Sequence, residues 1–159
     1  MEREKEITLS FIDKSIAVTT VGNKTYATIK SGFKFTKFES LFRESGFKTI
    51  PEFVVGILEM YGYRPDYKNG MWVTKTTATA ACAPDDKNVE TTGNRIALMR
   101  AKQKAYDKAN KCIFDIWMRF NDASRMLLET NLKLEKYIIA EGEAIDRVIE
   151  TGKSDFIKE

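Results

Sequence analysis

Between Gly93 and Glu150 the chain contains no proline and keeps apolar residues at helical spacing. Met99, Tyr106, Ile113, Phe120, Leu127 and Leu134 recur every seven residues, and Ala109, Ile116, Ala123 and Tyr137 fill the shorter steps. This pattern predicts a long amphipathic helical region whose helix–helix interface is Met99, Tyr106, Ile113, Ile116, Phe120, Leu127 and Leu134. A second stripe, Arg100, Lys104, Lys108 and Lys111, falls at steps of four, four and three and is expected on the opposite, solvent-facing side. A single helix of this length is long for so small a protein. Trp117, Met118, Met126, Leu128 and Ile139 also widen the apolar surface beyond what a two-strand seam needs. Both features favour a helical hairpin, with Asn121-Asp122, Asn131 and Gly142 as break points; the alternative is one helix that self-associates as a coiled coil.

The N-terminal third alternates with a period of two instead. Glu6–Ile12, Ser15–Val21 and Thr25–Ser31 read as three strands of an antiparallel meander, with turns at Asp13-Lys14 and Gly22-Asn23-Lys24. Thr36-Lys-Phe-Glu39 and Thr49-Ile-Pro-Glu52 have the form of capping boxes, each opening a short helix. Gly46 and Gly62 are expected to close those helices. Asn69-Gly70 signals a hairpin into a long strand, Met71–Cys82, whose second half is small-sided (Thr76, Thr77, Ala78, Thr79, Ala80, Ala81). Small side chains allow a helix to approach closely, so this strand is expected to lie under the long helix. The fold class is therefore α+β: an antiparallel β-meander with two short helices and a β-hairpin, then a long C-terminal helix or helical hairpin. Residues 1–90 form the α+β domain, and 91–159 a helical arm packed partly on it.

Composition narrows the chemistry. The 159 residues are 43% hydrophobic and 31% charged, enough for one ordinary core. No apolar run approaches the ~20 residues that span a bilayer, and Met1-Glu-Arg-Glu-Lys-Glu is too polar for a signal peptide, so a cytoplasmic protein is expected. There is no histidine, which removes His-based catalysis and Cys/His zinc sites. Cys82 and Cys112 stand far apart in no paired motif and read as buried hydrophobes. No phosphate-binding glycine loop occurs. Asp85, Asp86 and Glu90 are the only acidic cluster with catalytic potential, and a solvated loop before a helix start explains them more simply. No enzyme, metal or cofactor is expected.

Net charge is +3 but unevenly spread. Residues 95–111 carry six basic side chains against Asp107, and residues 24–48 six against Glu39 and Glu44, whereas the tail from Lys133 is acidic. Arg95, Arg100, Lys104, Lys108 and Lys111, with Lys34 and Lys37, are the candidates for binding nucleic acid or an acidic partner. Phe33, Phe35 and Phe38 interleave with Lys34 and Lys37 and are the better base-stacking candidate, although a strand running into a buried helix accounts for them more simply.

Two stretches resemble known families. Thr79-Ala-Ala-Cys82-Ala-Pro-Asp-Asp86 followed by Gly93-Asn-Arg-Ile-Ala97-Leu-Met-Arg-Ala-Lys102 resembles a layout in small uncharacterised bacteriophage proteins, departing from it at Lys87-Asn88. That resemblance implies a phage or mobile-element origin, hence a host-cytoplasm location, and no activity. Residues 51–67 with the basic helix from Arg95 resemble double-stranded-RNA-binding domains, which implies lysines meeting phosphates across a groove. That module has three strands between its helices, and here the N-terminal strands would have to supply them. The expected function is a non-catalytic interaction protein working through its helical region, by self-association or with a protein partner. In a phage it would be a structural accessory or an inhibitor of a host defence complex. The alternative is nucleic-acid binding through residues 95–111.

Overall fold

The strands form because β-branched and small residues alternate with polar ones, and their partners are fixed by which face must be buried. The computed structural model describes residues 7–81 and 89–152. Its elements are β1 (Ser10–Val21), β2 (Lys24–Lys34), α1 (Phe35–Glu44), α2 (Glu52–Met60), β3 (Arg64–Asp66), β4 (Met71–Ala81) and α3 (Val89–Thr151). The four strands make one antiparallel sheet in the order β1-β2-β4-β3. No helix among the described residues is long and apolar enough to cross a membrane.

The α+β class is as expected, with four differences of detail. The residues read as two strands and a turn are one strand, β1, interrupted by a bulge. Asp13, Lys14, Ser15 and Ile16 stand between Ile12, paired with Lys30, and Ala17, paired with Thr28. Ser15 fills the gap, its hydroxyl donating to the Ile12 carbonyl (2.6 Å) and accepting from the Lys30 amide (3.3 Å). Neither capping box forms. The Phe35 amide donates instead to the Gly70 carbonyl (2.9 Å), and the Pro51 carbonyl receives the Val54 and Val55 amides, so backbone groups do the work assigned to Thr36 and Thr49. The β3–β4 hairpin forms, but through a four-residue connection, Tyr67–Gly70, in which Gly70 alone has positive φ. Asn69 is held by the Asp66 carboxylate, which accepts from its backbone and side-chain amides. Finally, α3 is one unbroken helix through Asn121-Asp122, Asn131 and Gly142, so the hairpin favoured by its length and wide apolar surface does not occur. Asparagine and glycine cost a helix interior only ~1 kcal/mol or less each, too little to end it.

The core has a small-sided end and an aromatic end. Register puts Ala27 opposite Ala78 and Thr25 opposite Ala80 on one face, where Ala97 and Ala101 of α3 pack with them. Towards the other end, Phe33 contacts Phe38 (5.5 Å between centroids) and Tyr63 (5.3 Å) under α1 and α2. Gly32 faces Val73 in the ladder, and a Cβ there would lie 2.0 Å from the Trp72 carbonyl oxygen, so strands β2 and β4 approach too closely for any side chain. The chain divides into two compact units, Met1–Ile116 and Trp117–Glu159. The division falls inside α3, beyond the residue-90 boundary the sequence suggested, because the turns up to Ile116 carry the residues buried with the sheet.

The element order expected of a double-stranded-RNA-binding domain is not met. Among the described residues only β3 and β4 lie between α2 and α3, and the sheet is completed by β1 and β2 from the N-terminal part.

Candidate functional site: the faces of the long helix

In the first unit α3 buries a row of small residues: Ala97, Ala101, Ala105, Ala109 and Cys112, ending at Ile116. The predicted interface residues Met99 and Tyr106 are instead 66% and 56% exposed, and Ile113 is half-buried. The reason is complementarity of size. The sheet face beneath is built from Ala27, Ala78, Ala80, Thr74 and Thr76, and a helix settles closely on such a surface only through alanine. Large side chains are left to the flank, where Tyr106 meets Phe11 of β1 edge-on at 5.2 Å and the Lys102 ammonium lies 5.7 Å from the Phe11 ring centroid.

The basic stripe lies along the other flank, where Arg100, Lys104 and Lys111 are exposed and Lys108 is half-buried, and three of the four cations reach β4. Arg100 donates to the Thr79 carbonyl (2.9 Å) and Lys104 to the Thr77 carbonyl (3.5 Å). Lys108 reaches the Lys75 carbonyl (3.3 Å) and the hydroxyls of Thr74 (3.2 Å) and Thr76 (3.4 Å). The match is one of repeats: four helical residues rise ~6.0 Å and two strand residues ~6.6 Å, so a cation at every fourth helical residue meets every second carbonyl. β3 pairs with Met71–Val73 alone, so these carbonyls belong to the stretch of β4 that β3 leaves unpaired. Three cations thus cover a sheet edge that would otherwise present unsatisfied groups. Burial pushes the Lys108 ammonium below the ordinary lysine range. Lys111 is exposed and paired with Asp107 at 2.9 Å, and Arg95 is exposed.

The two basic stretches are not brought together. Lys34 pairs with Met71, at the end of β4 opposite the Thr79 carbonyl held by Arg100, and Lys37 lies on α1. Phe33 and Phe38 are buried, and Phe35 packs on Tyr67 and Trp72, so this segment is core and not a base-stacking platform. Asp85 and Asp86, the Cys-x-Pro-x-Asp turn of the phage-like layout and the Glu90 side chain lie outside the described residues.

Where α3 passes α2, the Tyr61 hydroxyl donates to the Asp115 carboxylate. That carboxylate raises the Tyr61 phenol to about 12, with burial adding to the effect. Burial chiefly, helped by the Asp115 charge, pushes the Cys112 thiol up to about 12. A thiol so placed is protonated and shielded, which suits packing and not nucleophilic chemistry.

In the second unit the helix has a different character. Leu127 is 72% exposed, Ile138 71% and Ile149 75%, and Trp117, Met126, Leu128, Leu134, Tyr137, Ile139 and Ile145 are also open. At 100° per residue, Phe120, Leu127, Leu134, Ile138, Ile145 and Ile149 fall on one line. Leu128, Leu132 and Ile139 lie beside it. Arg119, Asp122, Glu129, Lys133, Lys136 and Arg147 occupy the opposite side. The predicted interface residues Leu127 and Leu134 therefore belong to an exposed apolar face, interrupted by Asn131 and with Phe120 half-buried at its start. No protein family, curated protein or solved structure matches this chain.

Proposed function

We propose that this is a non-catalytic interaction protein that acts by protein–protein contact through the apolar face of α3 in its second unit. The observation that carries the reading is the apolar face Phe120–Ile149. From Leu127 onward its large apolar side chains are half to three-quarters exposed, and with Leu128, Leu132 and Ile139 beside them amount to on the order of 1,000 Å² of apolar surface, against roughly 300–600 Å² for the largest patch on a typical monomer. A lone amphipathic helix of this kind is stabilised chiefly by burying that face, so a partner and the helix's own order go together. The first unit serves as the body that anchors it. In a phage setting such a contact would serve a structural accessory or an inhibitor of a host defence complex.

The alternative, nucleic-acid binding through residues 95–111, has less support. Arg100, Lys104 and Lys108 would have to surrender their contacts with β4 to meet phosphates. The test is a photo-reactive phenylalanine placed at Ile138, on the apolar face, or at Lys136, on the polar one, in the cells that naturally make the protein. Protein adducts from position 138 and few from 136 are expected. Equal yields, or none from 138, would overturn the reading.

A further inference from the structure

We infer that the partner on this face is a second copy of the same chain, lying antiparallel. The inference rests on the protein-contact reading above and adds the occupant and its direction. Two features argue for it.

The first is charge. Residues 117–134 carry Arg119, Arg125 and Lys133 against Asp122 and Glu129, a balance of +1. Residues 135–150 carry Lys136 and Arg147 against Glu135, Glu141, Glu143, Asp146 and Glu150, a balance of −3. A parallel pair sets the two acidic halves side by side. An antiparallel pair sets each acidic half against a basic one, twice over by symmetry.

The second is area and register. A stable interface needs roughly 800 Å² from each partner, which this face supplies by itself. Burial is greatest when Phe120–Ile149 of one copy overlaps the same stretch of the other in full. The midpoint then lies between Leu134 and Glu135. Asn131 and Ile138 are seven residues apart and lie within about 20° of each other on the line of the apolar face. They stand equally far either side of that midpoint, so each Asn131 meets Ile138 of the second copy.

The test uses the full chain with Cys82→Ser, so that the buried Cys112 is the remaining native thiol. Sedimentation should give the mass of two chains, or of four as a pair of such dimers. Leu134→Glu/Ile138→Glu should reduce it to one while the near-UV spectrum of the first unit is kept. Asn131→Cys chains mixed with Ile138→Cys chains should form the mixed disulfide in preference to either homodisulfide. A mass of one or three chains overturns self-association. Such a monomer leaves the protein-contact reading to the photo-cross-linking result. Predominant homodisulfides would refute the antiparallel direction.

Discussion

Replacing Ala101 with leucine should destabilise the first unit strongly, while removing the larger Met99 side chain should not. Ala101 is fully buried in a cluster with Ala27, Ile29, Ala78, Ala80 and Ala97, where Ile29 is itself fully buried and has no room to move aside. The added carbons must push α3 away from the sheet, which also stretches the Arg100 and Lys104 contacts with β4. Overpacking of this kind costs ~1–3 kcal/mol, and the coupled contacts put Ala101→Leu towards the upper end. A buried methionine cut to alanine loses ~2–5 kcal/mol, but Met99 keeps 66% of its surface exposed, so Met99→Ala should lose less than about 1 kcal/mol. The assay is urea unfolding of both variants and the parent at one fixed protein concentration, since association shifts apparent stability. If Ala101→Leu lies within ~0.5 kcal/mol of the parent and Met99→Ala loses more than ~2 kcal/mol, the seven-residue stripe is the buried face and the alanine row is not.

Three further outcomes follow from the same packing. Gly32→Ala should fail to fold or lose ~3 kcal/mol or more, because its Cβ would meet the Trp72 carbonyl at 2.0 Å; soluble yield and thermal melting read this. Stability should fall as pH rises from about 9 towards about 12, because Cys112 stays protonated in the fold but ionises at its ordinary value of 9.0 once unfolded. Cys112→Ala should make that limb shallower in urea unfolding; the falling contributions of Tyr61 and Tyr63, whose phenols are also raised in the fold, and the opposite one of Lys108, whose folded value is lowered, should persist in the variant. Arg100→Gln/Lys104→Gln/Lys108→Gln should cost about 1–2 kcal/mol of stability after allowance for solvent screening. Fluorescence anisotropy at low salt should show no loss of duplex binding on the scale of three lost phosphate contacts.

Much of this architecture is readable from residue spacing. Period-two alternation locates β2 and β4, the Asn69-Gly70 pair locates the hairpin, and the small side chains of Thr76–Ala81 announce that a helix lies against them. The face of α3 is misread because heptad counting gives weight to large residues. Alanine at 97, 101, 105 and 109 carries the contact, and it counts for little in any measure of hydrophobicity. The signal was present as two matched repeats, alanines every fourth residue in α3 and small residues every second in β4. The cations at 100, 104 and 108 share the helical repeat, which is why a solvent-facing row also reaches a strand edge. The β1 bulge was invisible because Asp13-Lys14 is ordinary turn sequence. Its strand character comes from Ser15 bonding into the ladder, a tertiary contact. The apolar spacing of Leu127 and Leu134 is legible in the sequence; their exposure in the second unit needed the structure.

Amide hydrogen exchange along α3 tests the central claim most directly, because it reads the two stretches of one helix separately. In the parent protein, amides of residues 97–113 should be protected at every concentration, and those of 120–149 should gain protection as concentration rises. Leu134→Glu/Ile138→Glu should abolish protection over 120–149 and leave 97–113 unchanged. Equal and concentration-independent protection of 120–149 in parent and variant would contradict the account, since the apolar face would then have no partner to lose.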